Sequence, residues 1–151
     1  MSIEKEIKQE KFESEHQKMA INIMYTSSWL YNNHAVRLKP FDITPEQFNV
    51  LRILRGSGAK KMMLADVTTR MIDKSSNCTR LVEKLKQKGL VNRDICESNR
   101  RQVDICITDR GLHLLKRIDK SHEAWVATLK TLKSSEAKEI NRVLDKLRNS
   151  E

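Results

Sequence analysis

The sequence predicts a mainly α-helical protein with one small β-hairpin, and three observations support this. Only 4 of the 151 residues are Gly and 2 are Pro, while Lys, Glu, Leu and Arg are abundant, as is typical of helical proteins. Apolar residues recur at helical spacing over most of the chain. After Gly89 the apolar period changes to two, in LVNRDIC and VDICIT, which is typical of half-buried strands.

The first two helices are predicted from their period and their end signals. Residues 10–38 form one uninterrupted helical pattern that Pro40 ends. The second helix begins with the clearest signal in the chain, because Thr44 suits the N-cap, Pro45 the first helical position and Gln47 the capping box.

A third, short helix is predicted over residues 62–72, and a fourth over residues 75–88. We expect Asp73 to cap the fourth helix and Gly89 to end it. Its apolar stripe consists of Cys78, Leu81, Val82 and Leu85. The two strands that follow should form a hairpin whose polar loop, ESNRRQ, carries two arginines at its tip.

The chain returns to a helical period after the hairpin. A helix over residues 109–131 would be about 35 Å long at 1.5 Å per residue. Its predicted stripe is Leu112, Leu115, Ile118, Trp125 and Leu129. Ser135 is the expected cap of a last helix, with an inward face of Ile140, Val143, Leu144 and Leu147.

This order of elements predicts a winged helix-turn-helix, with the hairpin as the wing, flanked by helices at both chain ends. We place an N-terminal dimerisation helix region at 1–44, the DNA-binding region at 45–108 and C-terminal dimerisation helices at 109–151, intertwined as one domain. The compact centre cannot cover all the apolar stripes of the outer helices. We therefore expect a homodimer built from both chain ends.

Charge favours a polyanion as the partner. The formal net charge is +9 and the pI about 9.6, which suits nucleic acid or an anionic membrane surface. Residues 60–110 carry +5 of this charge by count. No apolar run approaches the roughly 18–20 residues of a membrane helix. The N-terminus is too polar for a signal peptide, so we expect a cytoplasmic protein that does not enter membranes.

The predicted fourth helix has the residue types of a DNA-reading helix. Its stripe buries one face, and short donors and cations near its N-terminus could reach base edges in the major groove. The candidate DNA-binding residues here are Ser75, Ser76, Asn77, Thr79, Arg80 and Lys84. At the wing they are Asn99, Arg100 and Arg101, since an arginine there can enter the narrow minor groove.

Two runs, SSNCTRLVEKLKQKGLVNR and NRRQVDICITDRG, resemble the multiple-antibiotic-resistance regulator (MarR) family of bacterial winged-helix repressors. The positions that correspond to the family's wing pattern are Asn99, Arg101, Ile107, Thr108 and Gly111. Asn99 stands where the family has Asp, and Ile107 where it has Leu. The resemblance implies a dimeric repressor that binds double-stranded DNA at pseudo-palindromic operators. It also implies release by small phenolic or lipophilic ligands, or by cysteine oxidation.

A ligand pocket in this architecture should lie between the first helix, the second helix and the start of the fifth. The candidate lining residues are Trp29, His34, Met62 and Met63. Met and Trp at helical spacing are more often part of the core, so both interpretations stay open.

The candidate redox residues are Cys78, Cys96 and Cys106. Cys78 lies on an apolar stripe, where a free cysteine is commonly a small core residue. With Arg100 near the centre of the turn, Cys96 would face Asp104, and Cys106 would be only its diagonal neighbour. A disulfide would then need a register shift.

Other function classes lack their signatures. No Cys or His spacing indicates a metal site, and no cofactor motif appears. The chain has no nucleophile–base pair, paired carboxylates or phosphate-binding Gly loop, so we expect no enzyme. Two alternatives stay open: a sequence-independent architectural DNA-binding protein, and a winged-helix protein-interaction module.

Overall fold

The computed structural model describes residues 1–96 and 99–149, without the side chains of residues 95–96 and 99–102. Within this part, seven α-helices and a three-stranded antiparallel sheet confirm the mainly helical class with a β-hairpin. The helices are α1 (Ile3–Ile7), α2 (Glu15–Leu38), α3 (Pro45–Gly56), α4 (Leu64–Arg70), α5 (Cys78–Gln87), α6 (Asp109–Thr128) and α7 (Ser134–Arg148). The strands are β1 (Met62–Met63), β2 (Val91–Cys96) and β3 (Asn99–Ile107), in the sheet order β1–β3–β2.

The predicted helix over residues 10–38 begins too early, because Ser14 caps α2. Its Oγ accepts a hydrogen bond from the Gln17 backbone N–H at 3.1 Å. The chain before it folds back as α1, a separate helix that the sequence did not predict. The Glu4 carboxylate of α1 lies 2.5 Å from Lys18 Nζ of α2.

The start of α3 forms as predicted. Thr44 Oγ1 accepts from the Gln47 backbone N–H, and Gln47 Oε1 accepts from the Thr44 N–H, both at 3.2 Å. This reciprocal pair satisfies two backbone donors that a helix N-terminus otherwise leaves free. It also explains why the polar Gln47 side chain is only 3% exposed.

The prediction of a helix over residues 62–72 is wrong at its start. Met62 and Met63 form β1, whose partners are Ile105 and Asp104 in β3. An apolar run as short as Met62 and Met63 is compatible with either a helix or a strand. The backbone of β3 decides between them by offering an edge for pairing.

The wing hairpin differs from its prediction in loop length and in register. Residues 99–102 of the predicted loop ESNRRQ lie in β3, since backbone groups make the ladder whatever the side chain. Asp94 pairs with Asp104, and after a register shift Cys96 pairs with Asn99. The expectation from the sequence that Cys96 faces Asp104 is therefore wrong.

One cluster of buried side chains joins α3, α4, α5, the sheet and the first half of α6. Burying each large apolar side chain contributes about 1.5–3 kcal/mol to stability. The largest that are fully buried are Leu38, Leu51, Leu54, Met71, Leu85, Ile105, Leu115 and Ile118. The recognition candidate α5 and the wing therefore rest on one common core.

A tight junction connects α5, the two wing strands and α6. Gly89 has a φ of 69°, a left-handed conformation that favours glycine and ends α5 as predicted. Thr108 caps α6 by accepting from the Gly111 N–H at 3.1 Å, while its own Oγ1 donates to the Gly89 carbonyl at 2.8 Å. Its backbone N–H donates to the Leu90 carbonyl at 3.1 Å.

The C-terminal helices follow the prediction with three differences. Leu114, absent from the predicted stripe of α6, is buried, while Trp125 and Leu129 are only half-buried. The helix ends at Thr128 and continues as one 3-10 turn. Ser135 does not cap α7, because the helix already begins at Ser134. At this start the Glu136 carboxylate accepts a hydrogen bond from the Lys133 backbone N–H at 2.7 Å.

The predicted inward face of α7 is only partly buried within the described protomer. Ile140, Val143 and Leu147 are 45%, 40% and 46% exposed, and Leu144 is half-buried. No described residue of α7 is buried.

We predict that Gly111→Ala strongly destabilises the protein. A Cβ at this position would lie 2.4 Å from the Leu90 carbonyl oxygen and 2.6 Å from Ile107, and overpacking of this kind costs about 1–3 kcal/mol. Denaturant unfolding should show a loss of at least about 2 kcal/mol. The control is Gly56→Ala, where a Cβ meets nothing within 4 Å. Equal stability of the two variants would contradict the packing argument.

Candidate nucleic-acid interface

The candidate recognition helix α5 begins at Cys78, three residues later than predicted. Asn77 is its cap, because its Oδ1 accepts from the Arg80 backbone N–H at 3.1 Å. Ser75 and Ser76 therefore precede the helix instead of lying on it. Asn77 can offer only its side-chain NH2 to a base without giving up the cap.

Asp73, the expected cap, forms the turn before the helix instead. Its Oδ1 accepts from the Ser75 backbone N–H at 2.9 Å and from Ser75 Oγ at 2.7 Å. These hydrogen bonds hold the pKa of the Asp73 carboxyl below its ordinary value, so this carboxylate stays ionised at neutral pH. Ser76 Oγ is buried without a described hydrogen-bond partner.

The two faces of α5 differ as the sequence predicted. Cys78, Val82 and Leu85 are buried, whereas Thr79, Arg80 and Lys84 are exposed. The candidate DNA-reading side chains on the exposed face of α5 are thus Thr79, Arg80 and Lys84. The other candidates, Ser75, Ser76 and Asn77, come before the helix.

The cations of this face are available for an external anion. Among the described residues, no carboxylate forms an ion pair with Arg80 or Lys84. The one carboxylate of α5, Glu83, lies 3.4 Å from Arg93 Nη1 of β2, so its charge is partly balanced within the fold. The macrodipole adds positive potential at the N-terminus of α5.

Two cations that sequence reasoning left out belong to the same region. Arg70 at the end of α4 and Lys74 in the turn before α5 are both exposed, and Lys74 Nζ donates to the Thr69 carbonyl at 2.5 Å. Their position in the basic segment 60–110 was the signal by which the sequence could have identified them as candidates.

The wing candidates Asn99, Arg100 and Arg101 lie in the backbone of β3, but their side chains are outside the described part of the chain. Their contact with DNA stays a prediction. At the base of the wing, Lys61 Nζ lies 2.8 Å from Asp94. This contact offsets the repulsion between Asp94 and Asp104, which face each other across the strands.

The four candidate ligand residues lie in different environments. Met62 is 8% exposed and belongs to the core, while Trp29 and Met63 are 50% and 41% exposed. The His34 ring contacts Phe48 and Trp125, with centroids 5.2 and 5.9 Å away. None of the four lines the groove of about 610 Å³ between α2 and α7. The ligand site stays a prediction.

The cysteines show no geometry for a disulfide within the wing. Cys106 pairs with Asn92, and Cys96 with Asn99. The four-residue offset between Asn92 and Cys96 corresponds to about 13 Å at 3.3 Å per residue, beyond the roughly 7 Å that a disulfide can span. Cys78 is 5% exposed, and the Cys96 side chain is not described. The three cysteines therefore stay untested candidates for redox control.

Two other kinds of site are absent from the described part of the chain. No group of three or more His, Cys, Asp or Glu residues there could hold a metal ion. Nor is any described helix long and apolar enough to cross a membrane.

We predict that Asn77 stabilises the protein as the cap of α5. Asn77→Ala should lower the free energy of unfolding by about 1 kcal/mol, because the Arg80 N–H loses its partner. Asn77→Ser keeps a capping oxygen and should restore most of this stability. Thermal unfolding of both variants measures the cap, and identical losses in both would contradict it.

Comparison with known proteins identifies relatives of this arrangement. Residues 43–103, from the approach to α3 into β3, match the family model of the MarR family. The transcriptional repressor IacR of Pseudomonas putida is 28% identical over 109 residues, which cover 72% of this chain and 64% of IacR. The aligned part thus spans slightly less than two thirds of that relative.

Solved structures share the fold. The organohalide-sensing transcriptional regulator RdhR in its 2,4-dichlorophenol-bound form superposes with a TM-score of 0.81 at 17% identity, covering 93% of this chain and 86% of that one. The MepR–DNA complex of S. aureus superposes with a TM-score of 0.78 at 21% identity, covering 87% of this chain and 96% of that one. IacR is a transcriptional repressor and RdhR is a transcriptional regulator. The part of the chain from α3 into β3, residues 43–103, is thus a MarR family domain.

Proposed function

We propose that the protein is a dimeric, sequence-specific DNA-binding transcriptional regulator of the bacterial cytoplasm. Its partner in this proposal is a pseudo-palindromic DNA operator. We further propose that it is a repressor released by a small lipophilic or phenolic ligand. The observation that carries the DNA-binding part is the exposed cationic face of α5 on a winged helix, where no carboxylate among the described residues pairs with Arg80 or Lys84.

The side chains of α5 divide into reading and positioning roles. Arg80 lies in the first turn of α5, and an arginine there can contact O6 and N7 of guanine in the major groove. Thr79 and the Asn77 NH2 group can contact base edges beside it. Lys84 lies one turn further along the exposed face and suits a phosphate, which positions the helix without reading sequence.

The wing extends the same surface. Arg100 and Arg101 lie near the start of β3, where we propose that a cation reaches the adjacent minor groove. The common core holds α5 and the wing together. Two grooves could therefore be contacted by one rigid unit.

The dimer rests on the uncovered apolar surfaces of α2 and α7. Five of the ten residues that line the groove between these helices are apolar: Met19, Ile23, Leu30, Ile140 and Leu144. Our proposal is that the same helices of a second copy cover it. A two-fold dimer would present two α5 helices to half-sites about 34–36 Å apart.

Repression and ligand release rest on the relatives. IacR is described as a repressor, and RdhR was solved with 2,4-dichlorophenol bound. For this chain, Trp29, His34, Met62 and Met63 are the proposed ligand residues. A redox trigger at Cys78, Cys96 or Cys106 has less support, because the wing register separates Cys96 from Cys106.

The experiment that tests the function is selection of bound duplexes from a random DNA pool near physiological salt. We expect an inverted repeat with half-sites about one helical turn apart. Tight binding without sequence preference would instead favour an architectural DNA-binding protein, with an affinity that falls steeply with salt. Weak binding even at low salt would favour a protein-interaction module.

We predict that Arg80→Ala weakens binding to the selected sequence by about 10- to 100-fold, because the loss of a bidentate base contact costs about 1–3 kcal/mol. Binding to unrelated DNA should change much less. Fluorescence anisotropy at fixed salt measures both affinities. Lys138→Ala, which removes the same charge from α7, is the matched control. If both variants weaken specific and non-specific binding alike, Arg80 does not read sequence.

We predict that Ile140→Glu produces monomers, because a carboxylate in the apolar groove would be desolvated in the dimer. Sedimentation velocity should show a fall in mass with helical content largely kept. Lys138→Glu makes a larger charge change on an exposed position of α7 and should leave the dimer intact. A dimer that survives Ile140→Glu would remove α7 from the interface.

A further inference from the structure

Five side chains form a polar and aromatic cluster where α2, α3 and α6 meet. We call it the Arg37 cluster; its members are His34, Arg37, Phe48, His122 and Trp125. The Arg37 guanidinium lies over Phe48 and Trp125, 5.7 and 5.5 Å from the ring centroids. The His122 ring packs against Trp125, and the two ring centroids are 5.4 Å apart.

The Arg37 cluster attaches the second half of α6 to the rest of the protomer. All buried residues of α6 lie between Gly111 and Ile118. Beyond Ile118 the helix is held through half-buried side chains, and Arg37 Nη1 donates to Ser121 Oγ at 3.4 Å. The cluster therefore holds the second half of α6 against α2 and α3.

The hydrogen bond between Arg37 and His34 requires a neutral histidine. Arg37 Nη2 lies 3.2 Å from His34 Nε2, and a guanidinium can only donate. His34 Nε2 must therefore be the acceptor, without a proton. Protonation of His34 would replace this bond by the contact of two donors that both carry positive charge.

The surroundings of both histidines disfavour protonation. Burial lowers the pKa of His34 below its ordinary value, and the charge of Arg37 adds to this. Burial, followed by the charge of Arg37, does the same for His122, whose Nδ1 is buried without a described partner.

The charged groups around the cluster come from all three helices. The cationic groups are Arg37 on α2, and Arg52 and Arg55 on α3; each histidine, once protonated, would add to them. Glu46 on α3 acts in the opposite sense on His34, and Asp119 on α6 does so on His122. The carboxylate of Asp119 is already paired with Arg55, at 2.7 and 3.1 Å.

We propose that the Arg37 cluster is a pH-sensitive joint between the DNA-binding region and the dimerisation helices. When His34 and His122 are neutral, the joint holds α6 in one direction and fixes the distance between the two α5 helices of a dimer. When they are protonated, repulsion from Arg37 opens the joint. The two half-site contacts then lose their preset spacing, which weakens bivalent binding.

The sign of the effect follows from the direction of the shifts. Because both histidines have folded-state pKa values below 6.5, the unfolded chain binds their protons first as pH falls. The free energy of unfolding should therefore decrease as pH falls below about 6.5 through the lowered values. The same protonation should open the joint over that pH range.

The inference rests on the proposed function and makes a prediction of unusual sign. Lower pH makes a protein more cationic, which ordinarily strengthens DNA binding. For this protein we expect affinity for the selected operator to fall by about ten-fold between pH 7.5 and 5.5, a typical size for coupled equilibria. Fluorescence anisotropy at constant ionic strength measures it, with far-UV circular dichroism to follow folding.

The chain provides its own control, because His16 and His113 are exposed. The double variant His34→Gln/His122→Gln should lose the pH-dependent fall, whereas His16→Gln/His113→Gln should keep it. Absence of operator binding at pH 7.5 would overturn the proposed function. Binding at pH 7.5 that stays constant or tightens at pH 5.5, or a fall retained by the first double variant, would overturn the joint alone. A fall accompanied by loss of helical signal would also overturn it.

Discussion

The close approach of Gly111 to the Leu90 carbonyl is the constraint on which the rest of the arrangement depends. It allows α6 to start directly against the end of α5, with Thr108 bonded to both Gly89 and Leu90. The recognition candidate, the wing and the helix that leads away from them thus share a junction of a few residues. Any side chain at position 111 would separate these three elements.

In the candidate interface, several side chains proposed to contact DNA also hold the start of α5 in place. Asn77 uses its carbonyl oxygen to cap α5 and keeps its NH2 group for a partner. Asp73 and Ser75 bond to each other and shape the turn that precedes the helix. The residue types that suggested DNA contact are therefore partly engaged in holding the helix start, and Thr79, Arg80 and Lys84 are the ones left wholly outward.

Local signals could be read from the sequence, and long-range ones could not. The capping box of Thr44 and Gln47 depends on four consecutive residues and forms as predicted. The choice between Asp73 and Asn77 as the cap depended on where the turn closes, and both residue types suit that position. The pairing of Met62 with Ile105 and the shift after Ile95 depend on strands distant in sequence. The Arg37 cluster joins residues more than 80 positions apart, such as Arg37 and Trp125, and no periodicity marks it.

The uncovered face of α7 has a consequence for the lifetime of a single chain. A helix of 15 residues is close to the length at which isolated helices are only marginally stable in water. Without a second copy, α7 would fray and expose its backbone to proteases. In the proposed dimer a second copy would protect this helix, so the unpaired chain would be the form more readily cut within α7.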